Sequence, residues 1–156
     1  MKSLIKSFGY AFRGIYMCLT KERNMRIHTV CMIYMYFFLF VFDFFEISGT
    51  QLAILFLANG LVMGGELINT AVERAVDLHG SEYTENGKIA KDCAAGAVLV
   101  FTIFSVLCGI AIMYQPKAFE ELFAYFIANP VAILLFVLSV VIFTFFIFKG
   151  FPKKKG

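Results

Sequence analysis

Apolar positions in this chain follow two patterns. Over the first twenty residues they recur at helical spacing, at Leu4, Phe8, Phe12, Ile15, Tyr16 and Leu19, while Lys2, Lys6 and Arg13 fall on other sides. That spacing predicts a basic amphipathic helix over residues 4–20, lying in a membrane interface. Beyond it the apolar runs become nearly continuous and predict membrane spans at about 28–46, 49–75 and 90–113, each long enough to cross a bilayer. An extension over residues 115–156 predicts a fourth span at about 130–148 and a basic tail, Lys149, Lys153, Lys154 and Lys155. Between the second and third spans, LHGSEYTENGKIAKD carries Gly80, Asn86 and Gly87 and predicts a loop of about ten residues. Gly60, Gly64 and Gly65, the first two forming G-x-x-x-G, and the small residues Ala94, Ala95, Gly96 and Ala97 favour close helix approach.

Composition fixes the class. The chain has 156 residues, 60% hydrophobic and 16% charged, with a mean hydropathy of +0.80, whereas soluble domains carry about 25% charged residues. The expected fold is an all-α integral membrane protein, with no room for a separate nucleotide-binding domain. Cys18, Cys31, Cys93 and Cys108 show no C-x-x-C spacing, so neither a disulfide nor a cysteine metal site is expected. The N-terminus has no uninterrupted apolar core or small-residue cleavage site and does not read as a secretory signal. With the N-terminus inside, every Lys and Arg except Lys117 lies on the cytoplasmic side, which predicts a multi-pass protein of the cell membrane. No internal repeat is evident, and no nucleic-acid partner is expected.

Candidate chemistry sits at the cytoplasmic end. Glu66, Asn69, Glu73 and Asp77 fall within roughly 80° of one helix face, along about 16 Å of axis. Leu67, Ile68, Ala71, Val72, Ala75 and Val76 cover the other sides. Carboxylates at membrane depth are costly and usually functional. Before the first span lies a charged knot, Lys21, Glu22, Arg23, Asn24, Arg26 and His28. Glu22 and Arg26, four apart, could pair on a helix face, or Glu22 could serve a site. Glu22 and Glu73 can share Mg²⁺, which takes one or two protein carboxylates plus substrate phosphates. Glu66, about two turns deeper, would be made a better proton acceptor by desolvation. Lys91 can neutralise phosphate, and a helix start near Ala90 offers free N–H groups to an anion. Together these suit phosphoryl transfer from a nucleotide to a hydroxyl at the membrane surface. There is no G-x-x-x-x-G-K-[ST] loop and no protein-kinase motif set.

The run E-L-I-N-T-A-V-E-R-A-V-D from Glu66 to Asp77, followed by G-S-E-Y-T-E from Gly80 and A-K-D-C-A-A-G-A-V from Ala90, resembles the small integral-membrane diacylglycerol kinases of bacteria, which include the undecaprenol kinases. The resemblance covers roughly residues 3–114. It implies a homotrimer of three-span subunits with composite sites between neighbours, using ATP and Mg²⁺ on a lipid alcohol. By motif position Glu66 is similar to the family's general base and Asn69 to its polar partner. Glu22 and Glu73 resemble the metal-binding pair, and Asp77 closes the motif. Glu82, Tyr83 and Thr84 match a loop touching ATP, Lys91 and Asp92 a nucleotide-contacting pair, and Tyr10 an N-terminal tyrosine near the nucleotide. Ser3 stands where a well-known branch has an arginine, leaving Lys2 or Lys6 to substitute. Residues 115–156 have no counterpart.

The E-R-N-M-R-I-H run from Glu22 to His28 is similar to the undecaprenol branch, so undecaprenol is expected ahead of diacylglycerol; His28 itself reads as a structural hydrogen-bonder. The alternative of another class is a small oligomeric proton or cation transporter, with Glu66, Glu73 and Asp77 lining a path. Glu22, Lys91 and Asp92 separate the two, since a nucleotide needs them and a pore does not. A non-catalytic scaffold leaves the acidic face unexplained.

Overall fold

The computed structural model describes residues 2–78 and 84–150. All of their regular structure is helical: α1 (Lys2–Lys21), α2 (Arg23–Val41), α3 (Gly49–Asp77), α4 (Glu85–Met113), α5 (Pro116–Ala128) and α6 (Pro130–Lys149). Four of these, α2, α3, α4 and α6, are long and apolar enough to cross a membrane.

Local chemistry sets the helix ends. Ser48 and Gln51 form a capping box at the start of α3: the Ser48 hydroxyl accepts from the Gln51 N–H at 3.2 Å, and the Gln51 side chain accepts from the Ser48 N–H at 2.9 Å. Thr84 caps α4 by accepting from the Gly87 N–H at 3.1 Å. The third long helix therefore begins at Glu85, not near Ala90, and Asn86 and Gly87 lie in its first turn rather than in a loop. Gly87 suits that turn because a Cβ there would stand 2.8 Å from the Thr84 hydroxyl and 3.0 Å from the Val76 side chain. Pro116 and Pro130 open α5 and α6, where the missing N–H costs nothing. Helix α5 is an element the apolar pattern did not announce.

Length decides what the long helices can do. At 1.5 Å per residue the 29 residues of α3 and of α4 each run to about 43 Å, against a hydrocarbon core of about 30 Å. Two to three turns of each thus project beyond that core. The 19 residues of α2 and 20 of α6 match its thickness.

Helices α3 and α4 form the most extensive pairing; α2 packs on α3, α1 touches both α2 and α3, and α6 lies along α2. The α2–α6 pairing is antiparallel. Tyr34 meets Ser139 through a 2.9 Å hydrogen bond, its ring sits edge-on to Phe136 and Phe143, and Phe38 also meets Phe136. Beyond the end of α2, Phe42 contacts Tyr125 and Phe126 of α5. A cavity of about 480 Å³ remains between α2 and the α5–α6 hairpin, lined mostly by aromatic and aliphatic side chains.

Of the glycines expected to allow close helix approach, only Gly65 does so within the chain. A Cβ on Gly60, Gly64 or Gly96 would meet nothing, whereas one on Gly65 would stand 2.8 Å from the Phe101 ring. The close α3–α4 approach is made at Gly65, one residue before Glu66.

Candidate active site

The second half of α3 carries the polar seam. Asn69 donates its amide N–H to Glu73 Oε1 at 2.9 Å, a contact that i,i+4 spacing on a helix allows. Glu66, one turn toward the apolar half, is only 2% exposed. His28 of α2 faces it, with Nε2 3.5 Å from Glu66 Oε1, longer than a good N–H···O bond. Glu66 Oε1 and Asn69 Oδ1 are buried without a hydrogen-bond partner. Buried acceptors are nearly always satisfied, so two such atoms one turn apart mark a place where a further donor belongs. A hydroxyl is a suitable one.

A groove of about 210 Å³ lies beside His28. It is lined by Ile27, His28 and Cys31 of α2, Asn59, Val62 and Met63 of α3, and Thr102, Ser105 and Val106 of α4. Its walls combine apolar stems with a few polar tips, at the level where α3 is still within the bilayer by length.

The rim lies at the projecting ends. Glu22 is the single non-helical residue between α1 and α2, with extended backbone at φ −98° and ψ 121°. Its Oε1 is 3.5 Å from a terminal guanidinium nitrogen of Arg74, and Lys91 Nζ pairs with Asp77. Arg74 is 54% and Asp77 66% exposed in their side chains, so both pairs are weak in stability terms and open to exchange for a phosphate. Glu22 does not pair with the Arg26 side chain. Arg26 is buried and donates instead to the carbonyls of Ile147 at 3.0 Å, Thr20 at 3.2 Å and Leu19 at 3.5 Å.

Glu66, Asn69 and Glu73 thus share one seam, Glu22 joins its upper end through Arg74, and Asp77 with Lys91 closes it. Other expected residues lie apart. Tyr10 is exposed on α1 with the Arg13 guanidinium 5.8 Å above its ring. Asp92 is exposed, Thr84 is occupied as a cap, and Glu82 and Tyr83 fall outside the described residues. The anion position expected at Ala90 lies inside α4; the free N–H groups of this helix are at its first turn, where Gly87 N–H is already taken. Among the described residues no three His, Cys, Asp or Glu side chains group closely enough to hold a metal by themselves. Sequence reasoning missed His28 and Arg74 as members of the site. Their signals were one residue beside a span and one cation inside an acidic run.

A sequence profile described as prokaryotic diacylglycerol kinase matches residues 9–113. The chain is similar to a diacylglycerol kinase of Synechocystis sp. (strain ATCC 27184 / PCC 6803 / Kazusa), 40% identical over 73% of this chain and 64% of that protein. It is also similar to an undecaprenol kinase of Bacillus subtilis (strain 168), 38% identical over 75% of this chain and 92% of that one. A diacylglycerol kinase of Escherichia coli (strain K12) is 28% identical over 72% and 89%. This chain therefore spans less than two thirds of the Synechocystis relative's length. The profile's match ends at Met113, so all of α5 and all of α6 lie outside the shared region.

Proposed function

The chain belongs to the prokaryotic diacylglycerol kinase family, and we propose that it transfers the γ-phosphoryl group of ATP to the hydroxyl of a membrane lipid, undecaprenol first. The observation that carries this reading is the buried Glu66 Oε1, without a hydrogen-bond partner, one helical turn from the equally unsatisfied Asn69 Oδ1 and 3.5 Å from His28, a residue that also lines a groove at bilayer depth. Glu66 takes the proton as the lipid oxygen forms its bond to the γ-phosphorus. The bond from that phosphorus to the β,γ-bridging oxygen breaks, and ADP leaves with the electron pair. Asn69 steadies Glu73 through its amide and offers Oδ1 toward the same space. Lys91 can turn from Asp77 to the phosphate oxygens.

Mg²⁺ fits the donors at the rim. Glu22 and Glu73 are hard oxygen ligands on two separate elements, one held only by a long, exposed contact and the other by a single amide, and a nucleotide's phosphates with water complete the shell. When bound, the ion would neutralise charge on the transferring phosphoryl group. The homotrimer and the cytoplasmic placement of the α1 end belong to the same proposal. They are supported by how little of α4 and α6 is covered within one chain and by the clustering of Lys and Arg at that end.

Diacylglycerol is the second reading, favoured by the 40% identical relative of that name. The deciding experiment is an assay in mixed micelles with labelled ATP and both lipids side by side. Greater incorporation into undecaprenol is expected; the reverse order moves the substrate to diacylglycerol, and transfer to neither overturns the assignment.

A further inference from the structure

Arg26 raises a question that the reaction does not answer. A guanidinium at 6% exposure is costly unless its donors are satisfied, and its recorded acceptors are all backbone carbonyls. Leu19 and Thr20 lie in the last turn of α1 and Ile147 in the last turn of α6. The last four carbonyls of a helix have no partner within it, and the helix dipole makes that end negative. Two such ends, one from the family's shared region and one from the extension, converge on a single cation.

The close fit extends to the next residue. Gly150 ends α6 at φ +66°, where a side chain is strained, and a Cβ there would lie 3.2 Å from the Arg26 Nη1 and 3.4 Å from the Thr20 carbonyl oxygen. The pairings farther along α2, Tyr34 with Ser139 and Phe38 with Phe136, hold α6 in the register that brings Ile147 to this point.

Glu22 is two residues beyond Thr20 and four before Arg26. The bonds of Arg26 therefore fix the last turn of α1 and the first turn of α2 on either side of the carboxylate. We infer that Arg26 is a positioning residue through which the C-terminal helix α6 holds Glu22 at the rim, so that the extension completes the kinase site instead of merely adding membrane area. This rests on the lipid-kinase reading for its activity readout. Without the Ile147 carbonyl the guanidinium loses a bond, and the joint at Glu22 loosens.

The test uses the full chain with Arg26→Met, Gly150→Val and both together, assayed with labelled ATP in mixed micelles. Gly150→Val leaves Arg26 in place and displaces only the end of α6. Each single variant should raise KM for Mg-ATP about tenfold with kcat within about twofold, and the double variant should match the worse single one, because both act through the same contact. Arg26→Lys, which retains the charge and can reach one carbonyl, should recover part of the loss. A wild-type KM in Gly150→Val, or independent effects that multiply in the double variant, overturns the inference. If Arg26→Met fails to fold, Gly150→Val and Arg26→Lys carry the test alone. Should the wild-type protein phosphorylate no lipid, the kinase reading falls by itself; the clamp is then judged by melting temperatures of the same variants, where additive shifts refute it and a shared shift supports it.

Discussion

Helices α3 and α6 both span, yet they are held by opposite means. The second half of α3 carries Glu66, Asn69 and Thr70 buried against the rest of the chain. Helix α6 is apolar all round and has no buried residue. In water such a helix would be unstable, but among lipid tails an uncovered leucine costs nothing, so apolar area gives α6 no preferred seat. A few directed contacts must supply it: Tyr34 with Ser139, three ring edges, and the Arg26 bond to Ile147. Within a bilayer, position is fixed by polar and close-packed points, and those are also where substitutions will tell.

The comparison breaks most sharply at Glu66. Glu66→Gln keeps the shape of the seam and removes the proton acceptor, so turnover should fall by about 10²–10⁴-fold with nucleotide binding retained; radiolabel transfer and equilibrium nucleotide binding check both halves. Near-normal turnover would remove Glu66 from the base role. Glu73→Gln should act next, raising KM for Mg-ATP by about tenfold, roughly 1.4 kcal/mol of binding. A Mg²⁺ titration at fixed ATP that matches wild type would undo the metal assignment.

Smaller effects separate packing from chemistry. Gly65→Ala presses a methyl group toward the Phe101 ring and should cost about 1–3 kcal/mol of stability by overpacking. Gly60→Ala, where nothing stands in the way, should be neutral or slightly stabilising. Thermal unfolding in one detergent compares the pair, and equal shifts would show that α3 and α4 do not approach as described. Smaller than the Gly65 effect is that of Tyr34→Phe, which removes the bond to Ser139 but keeps the ring contacts; a loss of about 1 kcal/mol is expected, and an unchanged melting temperature would mean the rings and the Arg26 bond seat α6 without it.

The seam was legible in the sequence because few things explain Glu66, Asn69 and Glu73 at one helical period inside an apolar run. Four long apolar helices were legible from their continuous apolar runs, but the first runs Arg23–Val41 rather than about 28–46, because the charged residues before Ile27 join the helix and the chain leaves it at Phe42. Other features depended on long-range partners that spacing does not encode. Arg26 looked like an i,i+4 partner for Glu22, but its buried guanidinium is satisfied by two carbonyls at the end of α1 and by one at the end of a helix, 121 residues away. His28 reads as an ordinary polar residue until α2 is laid against α3. The start of α4 was displaced because Asn86 and Gly87 carry turn chemistry, while the Thr84 cap makes use of that glycine inside the first turn. Helix α5 is short, and its ends are set by Pro116 and the cap at Asn129 more than by any periodicity.

One residue separates α1 from α2, and so short a connection has no slack. Inserting a single residue there would add up to about 3.5 Å of extended chain between the two helices, and would carry Glu22 away from Arg74. The count of residues at this joint is therefore as much a part of the Glu22–Arg74 geometry as the carboxylate it bears. At the opposite end of the bundle seven residues, 42–48, bridge α2 and α3 without helical structure, and they are held by side chains instead, Phe45 against Phe119 and the Glu46 backbone against Gln115.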